Sequence, residues 1–278
     1  MMTRELSNAL NPRLLFLVGV PRSGTTWLQS MLGNHPGVST AQESHLFNHV
    51  LGPMLDNWRL MLHFDDGRGG IGLPAYLTES EMLGVTRRFV FEVFSAVEGF
   101  HQSEVFVEKT PDHILRIPDI SRVIPAARFV VIAREPRDVV ESLLAASRGW
   151  GRRWSPRSTL RAARLVSNYT RAGLAGLNAI PDSRRLVIQY EDLRSEPRFE
   201  LERVLKFAEL DYTDKDLDTM LDTRAQLKRY GEFARLSGDT VIEPKGFCRE
   251  RKERLSIAQK ALIEVLCRGP HRKLAALA

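Results

Sequence analysis

The segment Gly19-Val20-Pro21-Arg22-Ser23-Gly24-Thr25-Thr26 concentrates residue types suited to holding an anion. Its glycines let the backbone fold tightly enough for N–H groups to converge on one negative group, and the helix that follows turns its positive end toward the same point. Apolar residues from Leu14 to Val18 precede the turn, and helical spacing runs from Thr25 through Leu28, Met31 and Leu32. The unit therefore reads as strand, loop, helix. Set against the nucleoside-triphosphate pattern G-x-x-x-x-G-K-[ST], it keeps both glycines and the final hydroxyl but has Thr25 in place of the lysine. In ATP and GTP enzymes that lysine reaches the outer phosphates beside magnesium. With Arg22 as the cation inside the loop instead, the site suits a phosphate joined to another anionic group.

Other chemistry-bearing residues fall where apolar runs end. Arg134 follows the run Ala127 to Ala133, and Ser142 stands eight residues on, two turns into the next helix, so both reach toward one anion. A guanidinium offers a planar fork that suits phosphate. Val105-Phe106-Val107 leads into Glu108-Lys109-Thr110-Pro111, and Val38-Ser39-Thr40 delivers Ala41-Gln42-Glu43-Ser44-His45. Each has an ordinary alternative: Arg134 and Ser142 as surface and mid-helix residues, Lys109 as an ion-pair partner of Glu108, Glu43 as a surface charge.

Pro21-Arg22-Ser23-Gly24-Thr25-Thr26 resembles the 5′-phosphosulfate loop of sulfotransferases that use 3′-phosphoadenosine 5′-phosphosulfate (PAPS), in a spelling found in protein-tyrosine and bacterial sulfotransferases. The resemblance implies a P-loop-like fold and PAPS as donor, held by Arg22, Ser23, Gly24, Thr25 and Thr26. It implies that Trp27 stacks on adenine, that Arg134 and Ser142 grip the 3′-phosphate, and that Tyr190 meets the adenine. Lys245 and Gly246 resemble a segment that closes over the 3′-phosphate, although Pro244 replaces its arginine and Arg251 a usual tryptophan. Lys109 would neutralise the leaving oxygen between phosphate and sulfur, and Arg22 the sulfonate oxygens. The histidine that many cytosolic members place two residues beyond this lysine is absent, since Pro111 stands there. Protein-tyrosine sulfotransferases use a glutamate twenty-one residues after the loop arginine, and that count from Arg22 reaches Glu43, with His45 and His113 as substitutes for the base. A metal held by Glu43, His45 and His49 is the weaker reading, and sulfuryl transfer needs none.

The elements that must position these residues are strands at Leu14 to Val20, Val105 to Val107, Ala127 to Ala133 and Arg185 to Tyr190, alternating with helices. The pattern predicts an α/β fold, a parallel sheet flanked by helices on both faces. Residues 1–278 read as one domain, with 1–12 a loose lead-in and 41–104 a helical cap on the acceptor side. A helical stripe runs from Leu46 to about Phe64, a capped helix from Thr78 to Val97, and further helices over Thr159 to Ile180, Pro197 to Leu210 and Ile257 to Cys267.

The net charge of +6 suits anionic partners, but the one dense cluster, Arg249 to Arg254, is interleaved with glutamates and does not resemble a nucleic-acid track. Cys248 and Cys267 lack metal or disulfide spacing. No apolar run approaches a membrane span, so a cytoplasmic protein is expected. The expected partner is a small-molecule hydroxyl acceptor. Met54, Trp58, Met61 and Phe64 would line an apolar acceptor pocket or simply pack the cap, while Arg152, Arg153 and Arg157 would favour an anionic acceptor. The rivals are a P-loop nucleotide or small-molecule kinase and a non-catalytic nucleotide-binding module.

Overall fold

The apolar run after Pro12 forms β1 (Arg13–Gly19) in the computed structural model, which describes residues 12–64, 71–236 and 255–278. β1 is buried on both faces, as a central parallel strand must be. Beside it lie β2 (Val38–Thr40), β3 (Val105–Glu108), β4 (Arg128–Ala133) and β5 (Arg185–Gln189), all parallel, in the order β2-β3-β1-β4-β5. The chain leaves β1 toward one edge and later returns to build the other. That reversal opens a crevice beyond the strand C-terminal ends, where ligands of such sheets sit.

The strand period of two divides the core. Leu14, Phe16 and Val18 pack with Phe106, Phe129 and cap residues Phe47, Trp58 and Phe94 on one face. Leu15 and Leu17 pack with Val107, Leu28 and Leu201 on the other. The covering helices are α1 (Thr25–Leu32), α2 (Gly52–His63), α3 (Glu79–Ser95), α4 (Ile117–Val123), α5 (Pro136–Ser147), α6 (Thr159–Asn178), α7 (Tyr190–Ser195), α8 (Pro197–Ala208), α9 (Asp214–Leu221), α10 (Thr223–Leu236) and α11 (Ile257–Ala275). α3 has the expected capping box: the Glu81 amide donates to Thr78 Oγ1, and the Thr78 amide donates to Glu81 Oε2 at 2.8 Å.

Several elements differ from the sequence reading. Leu46–Leu51 is a π-type turn running into α2, and its larger number of residues per turn explains the irregular stripe there. The fourth predicted strand stops at Gln189, and Tyr190 opens α7. Val38–Thr40 is an edge strand, and α4, α9 and α10 were not foreseen. α11 passes Cys267 and continues through Pro270. Proline has no N–H for the carbonyl four residues back; that carbonyl, on Leu266, instead accepts Ser167 Oγ from α6 at 2.8 Å.

Candidate active site

The anion loop is a strained turn locked from below. Arg22 and Gly24 have φ of 78° and 110°, and the Ser23 amide donates to the Val20 carbonyl at 2.9 Å. A Cβ on Gly24 would lie 2.5 Å from Tyr190 Cδ2, so glycine is needed both for its conformation and for this approach. Gly24→Ala is therefore expected to cost about 1–3 kcal/mol of unfolding free energy. Chemical denaturation measures it, and an unchanged midpoint would mean that Tyr190 does not press on the turn. Ser23 is buried, and its Oγ has no hydrogen-bond partner among the described residues. Thr25 and Thr26 open α1, whose first N–H groups lack carbonyl partners within the helix.

Five predicted residues gather on one side of this loop: Arg22, Ser142, Arg134, Tyr190 and Trp27. Arg22 Nε donates to Ser142 Oγ at 3.2 Å, while Arg134 Nη1 donates to the Arg22 carbonyl at 3.1 Å. Arg134 also lies over the Tyr190 ring, 4.0 Å from its centroid, and its buried Nε finds no partner among the described residues. Trp27 meets Tyr190 edge-on at 5.9 Å and donates its indole N–H to Gln226 Oε1 at 3.1 Å. Gln226 in turn donates to the Met220 carbonyl of α9 at 2.9 Å, so that α10 is tied to both α1 and α9. Sequence reasoning did not find Gln226, and no motif marks it. Trp150, on the loop after α5, covers the Arg22 guanidinium at 5.0 Å.

The other side holds Lys109 and Glu43. Lys109, buried just past β3, donates to Thr26 Oγ1 at 3.3 Å and forms an ion pair with Glu43. Glu43 also meets His45 Nε2 at 3.3 Å. Burial raises the Glu43 carboxyl, but the Lys109 charge and the hydrogen bonds from His45 and Lys109 outweigh it and hold its pKa down to about 2. The hydrogen bond to Glu43 raises the pKa of His45 against the opposing effect of burial.

Glu108 does not pair with Lys109. It is buried against His113, whose Nδ1 is 2.7 Å from Oε2; His113 Nε2 accepts from the Phe47 amide, so the proton belongs on Nδ1. His113 is thereby enclosed and committed on both nitrogens, which removes it as an acceptor-side base. In the cap, Trp58 is core, Met54 packs against that core, and Phe64 is exposed. Lys245 and Gly246, with the rest of 244–252, lie outside the described residues.

A family model described as the sulfotransferase family matches residues 12–214, which include both sides of this site. The chain belongs to the sulfotransferase family. Nodulation protein NoeE of Sinorhizobium fredii is 27% identical over 224 residues, 73% of this chain and 51% of the relative. Protein-tyrosine sulfotransferase 1 of Danio rerio is 27% identical over 133 residues, 48% of this sulfotransferase-family chain and 35% of the relative. The chain thus spans about half or less of the length of these curated relatives. Among solved structures, the sulfotransferase domain from the curacin biosynthetic pathway superposes with a TM-score of 0.55 at 16% identity, covering 93% of this chain and 98% of that one. Mouse sulfotransferase SULT7A1 complexed with PAP gives 0.50 at 15% identity, with coverage of 95% and 88%. At such identities the likeness establishes the sulfotransferase fold. No helix among the described residues is long and apolar enough to cross a membrane.

Proposed function

We propose that this protein moves a sulfuryl group from PAPS to a hydroxyl of a small-molecule acceptor, with Glu43 as general base. The observation that carries the reading is the placement of Lys109, which touches the anion loop through Thr26 and the carboxylate of Glu43 at once. The polar groups fit such a donor. Ser23 Oγ and Arg134 Nε are buried without partners among the described residues, and each can bond an anionic oxygen. Arg22, Ser23, Gly24, Thr25 and Thr26 would hold the 5′-phosphosulfate, Arg134 and Ser142 the 3′-phosphate, and Trp27 and Tyr190 the adenine. PAPS supplies the sulfuryl group, and adenosine 3′,5′-bisphosphate (PAP) is left behind.

In this reading Lys109 gives up Glu43 for the oxygen on which negative charge develops, and Arg22 faces the sulfonate oxygens. Released from the Lys109 charge, Glu43 becomes more basic and accepts the acceptor proton. His45, bonded to Glu43, orients the carboxylate.

The test is transfer of labelled sulfur from PAPS to a panel of alcohols, phenols and tyrosine peptides, with Mg-ATP in a parallel arm. Transfer to small hydroxyl compounds is expected. Phosphoryl transfer from ATP would install the kinase instead, nucleotide binding without turnover the non-catalytic module, and turnover of peptides alone a protein acceptor. Arg134→Ala should weaken PAP binding by tenfold or more and shrink its preference over adenosine 5′-monophosphate, since a charge-assisted bond contributes about 1.5–3 kcal/mol. Calorimetry with both nucleotides measures this, and an unchanged preference would remove Arg134 from the 3′-phosphate site.

A further inference from the structure

The segment carrying Glu43 is fastened to the tip of β3 almost residue by residue. Ser44 Oγ donates to Glu108 Oε1 at 2.8 Å, and the Ser44 amide reaches the same oxygen at 3.4 Å. The His45 amide donates to Thr110 Oγ1 at 3.3 Å, the Phe47 amide to His113 Nε2 at 3.1 Å, and Asn48 Nδ2 to the Asp112 carbonyl at 3.0 Å. Thr110 Oγ1 donates back to Glu108 Oε1 at 2.7 Å. Residues 43–48 and 108–113 therefore interlock, with Glu108 as the shared acceptor. The backbone cannot settle there unaided, because His45 has φ of 48°, a conformation that needs outside support in a residue with a Cβ.

Among the described residues Glu108 bonds neither to the anion loop nor to Lys109, yet it is one of the most deeply enclosed carboxylates there. A buried carboxylate is costly unless all its lone pairs are engaged. Here donors from Ser44, Thr110 and His113 supply them and hold its pKa below the usual carboxylate range against burial. Strand geometry then does the rest. Consecutive residues at the end of β3 point to opposite sides, so Glu108 turned toward Ser44 leaves Lys109 turned toward Thr26 and Glu43.

We propose that Glu108 is a positioning residue: clamped by His113, it holds the Glu43–Phe47 segment in register with the tip of β3, so that Glu43 meets Lys109 beside the loop. This rests on the reading of Glu43 as the base. A misplacement of about 1 Å at a proton-transfer group can cost about a hundredfold in rate.

The experiment compares Glu108→Gln, Ser44→Ala and Glu43→Gln. Ser44 is exposed and Ser44→Ala changes no charge, so this variant carries the test if Glu108→Gln fails to fold. Both tether variants are expected to lower kcat on an unactivated alcohol by about ten- to a hundredfold. KM for PAPS and the calorimetric affinity for PAP should stay at the wild-type level, and an acidic phenol, already ionised at the assay pH, should recover most of the rate. An NMR titration gives a second readout. His45 faces Glu43 on its own segment, Asp112 and Glu108 across the interlock, and the His49 ring at 5.3 Å. Its midpoint, raised mainly by Glu43, should fall back in Ser44→Ala, where every charge is retained. Wild-type kcat with an unmoved His45 midpoint would overturn the assignment of Glu108, as would PAP affinity falling in step with kcat. Wild-type rates in Glu43→Gln would instead overturn the base.

Discussion

Replacing Glu43 by glutamine is expected to slow transfer to an unactivated alcohol by a factor of about 10²–10⁴ while sparing transfer to an acidic phenol. The amide keeps the shape of the side chain but takes no proton, and a phenol ionised in solution has none to lose. In the protein without donor, Lys109 and His45 overcome the effect of burial and hold the carboxyl near a pKa of 2. Its ionisation should then leave kcat/KM for PAPS flat down to acidic pH. If Lys109 turns to the donor as proposed, the opposing charge is gone, and the acid limb of kcat is expected at clearly higher pH than that of kcat/KM for PAPS. The same shift bears on stability. A carboxyl lowered from 4.5 to about 2 on folding contributes stability that is present above pH 4.5 and is lost as pH falls toward 2. Glu43→Gln should flatten that part of the acid-unfolding curve. Equal rates for variant and wild type on the alcohol would end the assignment.

Lys109→Met should cut kcat by about 10²–10³, the usual loss when one preorganised electrostatic partner of a developing charge is removed. Methionine fills the same buried volume, so the loss reports charge and not a cavity. Unlike the glutamate variant, this one should fail on the acidic phenol as well, because the proposed role of Lys109 is on the leaving side of the reaction whatever the acceptor. Burial of Glu43 would then be unopposed by its nearest cation, and its pKa should rise. Acidic-phenol turnover at the wild-type rate in Lys109→Met would show that the lysine only anchors Glu43.

The parts of this site that were legible in the sequence are those fixed by local rules. A glycine-bounded turn after an apolar strand announced the loop, and the ends of β3 and β4 announced Lys109 and Arg134. The edge strand Val38–Thr40 was not legible, because three residues are too few to display a period. Pairing Lys109 with Glu108 failed as an alternative for a geometric reason: neighbours along a strand face opposite ways, and Glu108 found His113. The tie from Trp27 to Gln226 spans 199 positions, and no local pattern can signal a contact at that separation. His113 looked like chemistry and proved to be framework, since its type says nothing of enclosure.

The hydroxyl of Ser167 and the ring of Pro270 form a complementary pair on two helices. Restoring an ordinary amide at position 270 would give the Leu266 carbonyl a second suitor and make the serine redundant; deleting the serine alone would strand that oxygen in the seam between α6 and α11. The two positions are thus coupled: losing the serine costs most while the proline stands, about 1–3 kcal/mol for an acceptor left unsatisfied.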